Sequence, residues 1–158
     1  MPNDQFFEAG TRVLTPPAFD FVLDSELKRA LRAQNFLTLV VVEARREWEG
    51  MMVTADEGTI GEVARILGHE VRDTDLLGCI ENGELSLVLL DADHTGSRTV
   101  IERIVQRIDS YDFPARLRIS MGAACYPTDA IDAASLRRQA SSRPVVSWSG
   151  GSTSAGDH

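Results

Sequence analysis

The chain has 158 residues, of which 43% are hydrophobic and 25% charged, with a formal net charge of −8. That length suffices for one domain with its own core. An acidic balance argues against a DNA or RNA partner, whose phosphate backbone needs a basic face, but it leaves room for a small anionic ligand held by a few placed arginines.

The N-terminal stretch MPNDQFFEAG lacks the basic and apolar regions of a signal peptide, and no apolar run approaches the roughly 18 residues of a membrane span. The expected location is the cytoplasm, with no membrane insertion. Cys79 and Cys125 sit in apolar runs and read as small buried hydrophobes rather than as a disulfide or metal pair.

In chain order, Met1 to Thr11 is a polar lead-in. Leu14-Thr15-Pro16-Pro17 is a breaker suited to the start of a helix. From Phe19 to Ala33, Phe19, Val22, Leu23, Leu27, Ala30 and Leu31 recur at helical spacing, and Asn35 is placed to end the helix. Phe36 to Val42 is β-branched and almost wholly apolar, the pattern of a strand buried on both faces. Glu43 stands at its end. Ala44 to Asp56 shows no period and reads as loop, with Trp48 packed beneath it. Glu57 to Val71 is a helix with Ile60, Val63, Ile66, Leu67 and Val71 on one face.

Arg72 and Asp75 follow as R-x-x-D. Two apolar runs, Leu76–Ile80 and Leu85–Leu90, then flank Glu81-Asn82-Gly83. Asn-Gly between apolar runs is a strong hairpin signal, because both residues tolerate positive φ. Asp91 to Gly96 is a polar loop, in which Asp91 and Asp93 read as solvated. Ser97 to Ile108 is a helix, Leu117 to Cys125 a strand, and Ala133 to Ala140 a short helix. Ser141 to His158 is rich in Ser and Gly and reads as a tail or linker, with Val145 to Trp148 as a candidate edge strand. His69 and His94 read as single surface histidines without partners. The interleaved order predicts an α/β fold, a mixed central sheet flanked by helices.

Several phrases resemble the GGDEF domain of diguanylate cyclases. Leu14-Thr15-Pro16 with Phe19 and Glu26-Leu27-Lys28-Arg29-Ala30 is similar to that family's opening. Arg72 to Gly78 is similar to its R-x-x-D-L-x-G phrase, and Arg118 to Pro127 to its VSIGVA.YP strand. The resemblance covers about residues 12–140, between the lead-in (1–11) and the tail (141–158). It implies a nucleotidyl-cyclase-like fold with a ferredoxin-like core.

It also implies losses. Glu81-Asn82-Gly83-Glu84-Leu85 falls where the family has GGDEF. Side chains then occupy the space that the first two glycines leave for a nucleotide, and Gly83 stands where a metal-binding carboxylate would be. Glu84 persists, Glu43 falls at the family's Mg²⁺-holding aspartate, and Glu57 falls near a guanine-reading acid. Cys79 replaces the arginine before the turn, no asparagine falls near Met51, and the lysine after the last helix is absent. Two-metal phosphoryl transfer needs those positioned charges. The expectation is therefore a domain that is not an enzyme, with no cofactor and no metal, Glu43 and Glu84 being more simply solvated strand ends.

The R-x-x-D register is intact, since Leu76 to Ile80 separate Asp75 from Glu81. In the family that motif is the inhibitory site for cyclic di-GMP, and Ile101-Glu102-Arg103-Ile104 puts Arg103 at its second arginine. An arginine fork can bond O6 and N7 of guanine, and a carboxylate can accept from N1 and N2. Such a bidentate pair gives roughly 1–3 kcal/mol of discrimination. Taken alone, Arg72 and Asp75 read as a helix-end cap and an ion pair; the register and Arg103 bring the ligand reading level with that one. The leading expectation is a cyclic di-GMP receptor at Arg72, Asp75 and Arg103. The alternatives are a ligand-independent domain for a protein partner or homodimer, and a weak nucleotidyl cyclase using Glu43 and Glu84.

Overall fold

The apolar run from Leu37 sets the centre of the molecule. In the computed structural model, which describes residues 13–80, 84–113, 116–142 and 144–149 (main chain only at 79, 80 and 145–149), it opens β1, Leu37–Trp48. Alternate side chains leave a strand on opposite faces. Leu37, Leu39 and Val41 enter one apolar cluster, with Phe19, Leu23 and Leu27 of α1 (Pro16–Ala33) and Leu136 and Ala140 of α4 (Ala133–Ser142). Val40, Val42 and Ala44 enter another, with Val63 and Leu67 of α2 (Glu57–Glu70) and Ile104 and Ile108 of α3 (His94–Ser110). Two helices therefore cover each face, and the Leu37–Val42 half of β1 is almost wholly apolar because neither of its faces meets water.

The sheet has six strands. β3 (Leu76–Ile80), β4 (Glu84–Leu90), β1, β5 (Leu117–Tyr126) and β6 (Val145–Ser149) lie side by side in that order, and β2 (Met51–Thr54) pairs with β1. All pairings between these strands are antiparallel. The parallel component is the isolated bridge between Leu14 and Gly78 beside β3, where the Leu14 amide donates to the Leu77 carbonyl at 2.8 Å. The α/β class with helices on a central sheet is as expected, as are the β3–β4 hairpin and the β6 edge strand. The lead-in 1–11, the Glu81-Asn82-Gly83 turn, the Cys79 side chain and the tail beyond 149 lie outside the described residues. Among those residues no helix is long and apolar enough to cross a membrane.

Four local expectations are corrected. Ala44 to Asp56 is not a loop: β1 continues to Trp48 and returns as β2, with Trp48 opposite Met51. The two residues between them, Glu49 and Gly50, have φ of 51° and 79°, the left-handed pair that suits a tight hairpin. This ribbon leaves the helix layers, so its outer positions are exposed and carry no apolar period; Trp48 is 50% exposed rather than packed under a loop. The left-handed residue closing α1 is Gln34, not Asn35. Asp93 is more than a solvated loop residue, because it caps α3 by accepting from the Gly96 amide at 2.9 Å. His94 is not without a partner: its Nε2 lies 3.1 Å from Asp129 Oδ2.

Gly122 of β5 lies opposite Val41, and a Cβ placed on it would overlap the Ala140 carbonyl of α4. A backbone carbonyl cannot swing aside as a flexible side chain can. We therefore expect Gly122→Ala to lower the unfolding free energy by about 1–3 kcal/mol or more, read as a shifted urea midpoint. An unchanged midpoint would show that α4 moves freely on the sheet.

Candidate functional site

Between the end of α2 at Glu70 and the start of β3 at Leu76 the chain makes a short junction. Its Asp75 amide donates to the Arg72 carbonyl at 3.0 Å, which closes a turn. Asp75 is only 5% exposed. A buried carboxylate is costly unless hydrogen-bonded, and this one is well supplied. Its Oδ2 accepts from the Arg72 amide at 3.0 Å and from Arg72 Nε at 3.4 Å. Its Oδ1 accepts from the Leu90 amide at 3.0 Å and from Arg72 Nη2 at 3.3 Å. Arg72 Nη2 also donates to the Leu90 carbonyl. The result is a clasp from the start of β3 to the end of β4.

The two members face different ways. The Arg72 side chain is 60% exposed and the Asp75 side chain 4%. The carboxylate is turned into the protein and holds both the backbone amide and the guanidinium of an arginine whose side chain is otherwise largely exposed. Asp75 could accept from a guanine edge only by giving up contacts it now makes.

Arg103 on α3 reaches the same junction from the other side. Its Nη2 donates to the Glu70 carbonyl at 2.7 Å and its Nε to Glu70 Oε1 at 3.4 Å. Arg107, one turn further along α3, places Nε 2.9 Å from Glu70 Oε2. The expected trio of Arg72, Asp75 and Arg103 is thus gathered around residues 70–75, with Glu70 and Arg107 added. The addition of Arg107 was readable from its i,i+4 spacing to Arg103. That of Glu70 was not, since it joins residues 33 apart in the chain.

The other candidate residues lie at the opposite end of β4. Glu84 to Leu90 is a seven-residue strand, about 20 Å at roughly 3.4 Å per residue. Glu84 stands directly opposite Glu43 on β1. Burial, the Glu43 charge beside it and only partial relief from Arg137 and Arg45 hold its carboxyl above the usual range. Glu43 is ion-paired with Arg45 at 2.9 Å. Glu57, the other acid expected near the nucleotide, is an exposed first-turn residue of α2. Among the described residues no group of three or more His, Cys, Asp or Glu is arranged to hold a metal ion. The two carboxylates stand opposite each other on β4 and β1, with an arginine already on one of them.

Comparison with known structures places this architecture. A DGC protein from Thermotoga maritima is 22% identical with a TM-score of 0.67, over 82% of this chain and 91% of that one. The GGDEF domain of TpbB (YfiN) from Pseudomonas aeruginosa is 17% identical with a TM-score of 0.72, over 85% and 83%. The chain has the GGDEF fold. A third match with this fold, the coiled coil and GGDEF domain of DgcB from Caulobacter crescentus in complex with c-di-GMP, is 17% identical with a TM-score of 0.71, over 88% of this chain and 78% of that one. No protein-family model matches the sequence, and no curated protein is similar to it in sequence. At these identities the GGDEF likeness is one of fold.

The raised Glu84 carboxyl has a pH signature. A folded-state pKa above the unfolded value of 4.5 contributes stability below that value, which is lost as pH rises through the folded pKa. Glu84→Gln is therefore expected to raise the melting temperature at pH 7, with the gain shrinking as pH falls through the raised folded pKa toward 4.5. A variant that melts lower than the parent at pH 7 would show that the arginines, not Glu43 and burial, govern this position.

Proposed function

We propose that this GGDEF-fold chain is a regulatory module that binds cyclic di-GMP at the Arg72 face and does not condense GTP. The observation that carries the reading is a largely exposed arginine side chain whose guanidinium is fixed by a buried carboxylate, with a second arginine reaching the same junction from α3. In this reading Arg72 recognises guanine O6 and N7 or a phosphodiester, and Arg103 the second base or a phosphate. Asp75 acts chiefly by holding Arg72. A c-di-GMP complex of a protein with the same fold supports the choice of ligand.

The loss of catalysis rests on the other end of β4. Phosphoryl transfer between two triphosphates needs carboxylates that hold metal ions and cations that hold phosphates. In sequence Gly83 supplies no carboxylate and Glu81 puts an acid at the position of the family's first glycine, and Glu43 is ion-paired with Arg45. Any Mg²⁺ held here would rest on Glu43 and Glu84 and would lower the repulsion between them. Residual cyclase activity would come from that pair.

One observation favours a second reading. The contacts of Asp75 are complete without a ligand, so the clasp can serve only to fasten the hairpin in a domain that binds a protein partner or a second copy of itself. Isothermal titration separates the two. The receptor reading predicts saturable binding of cyclic di-GMP, weakened about tenfold or more in Arg72→Ala, together with no product from GTP and Mg²⁺ or Mn²⁺. No heat with the parent protein, or equal affinity in the variant, would leave the interaction reading standing.

A further inference from the structure

Glu70 sits at the last residue of α2, and its side chain is only 13% exposed. Its two carboxylate oxygens are divided between two arginines of α3, Oε1 to Arg103 and Oε2 to Arg107. Those arginines are 51% and 64% exposed, and Arg72, two residues beyond Glu70, is 60% exposed. In a chain of net charge −8, three guanidiniums thus share two carboxylates, Arg72 on Asp75 and Arg103 with Arg107 on Glu70. The two acids differ in placement. Asp75 is turned inward and bonded to the backbone, whereas Glu70 takes up donor edges that point toward the neighbouring helix.

We propose that Glu70 is an internal counter-anion that occupies Arg103 and Arg107 in the absence of ligand, and that a phosphodiester displaces it. Arg107 then becomes part of the binding face. This deepens the ligand reading and rests on it. The Arg103 bond to the Glu70 carbonyl keeps that arginine at the junction when the carboxylate lets go. The exchange replaces one set of charge-assisted hydrogen bonds by another and leaves no arginine unpaired in either state. Removing the Glu70 charge raises the local positive potential and removes the competitor, so it strengthens binding of an anion. A merely structural Glu70 would have the opposite effect, since its loss would loosen both arginines.

The test is titration of cyclic di-GMP into the parent protein, Glu70→Gln, Arg107→Ala and Arg72→Ala at two salt concentrations. Glu70→Gln is expected to bind roughly threefold to tenfold more tightly, with the gain reduced at high salt, as one fewer negative charge near an exposed site implies. Arg107→Ala is expected to bind about threefold more weakly. Binding by Glu70→Gln where the parent shows none would also support the proposal, as release of a closed site. If the parent binds and Arg72→Ala does not, but Glu70→Gln is equal or weaker, the counter-anion role is overturned and the receptor reading survives. Unchanged affinity in Arg107→Ala overturns it in the same way, and that variant of an exposed residue keeps the test open should Glu70→Gln unfold. Absence of binding in both the parent and Glu70→Gln overturns both.

Discussion

A buried carboxylate at the foot of β3 holds the junction end of the hairpin together. Asp75 accepts from the backbone at Arg72 and at Leu90, so one side chain joins the α2–β3 junction to the end of the neighbouring strand. Left without an acceptor, those amides would cost about 1–3 kcal/mol each where buried. The same carboxylate takes the Arg72 guanidinium, which makes the position of the arginine a by-product of closing the hairpin. A pre-fixed guanidinium loses less conformational freedom on meeting a ligand than a free one does. That economy is the physical reason for proposing a site here.

The two ends of β4 have diverged in chemistry. At the Leu90 end, charges are matched: carboxylates face guanidiniums across the junction and between α2 and α3. At the Glu84 end, like charges oppose each other across β1 and β4, with Arg45 and Arg137 supplying partial compensation. Opposed carboxylates weaken a strand pair unless something positive is brought to them. The roughly 20 Å between the ends means that a change at one is not directly felt at the other except through the strand itself.

Much of the architecture was legible because it is written in local periods. The two-faced burial of β1 follows from an unbroken apolar run, α1 and α2 from helical spacing, and the β3–β4 hairpin from its flanking runs. Arg72, Asp75 and Arg103 could be named because the first two are neighbours in sequence and the third lies in a recognisable phrase. What escaped depends on contacts between distant segments. The β1–β2 ribbon projects from the layers, so polar residues such as half-buried Arg45 and exposed Glu47 conceal the strand. The His94–Asp129 pair and the shared use of Glu70 join segments whose spacing carries no period. The orientation of Asp75, inward rather than toward a ligand, is likewise set by the Leu90 amide, which belongs to another strand.

The central claim is that Asp75 works by fixing Arg72, and the most direct measurement is cyclic di-GMP affinity in Asp75→Asn. Asparagine keeps an oxygen for the Leu90 amide, so the tie to β4 is kept, while its NH2 faces the Arg72 amide and Nε as donor against donor and the charge that holds the guanidinium is gone, so the arginine is released. The account predicts a folded variant with a cooperative melt and an affinity lowered about tenfold, some 1.4 kcal/mol. A folded Asp75→Asn protein that binds as tightly as the parent would contradict it.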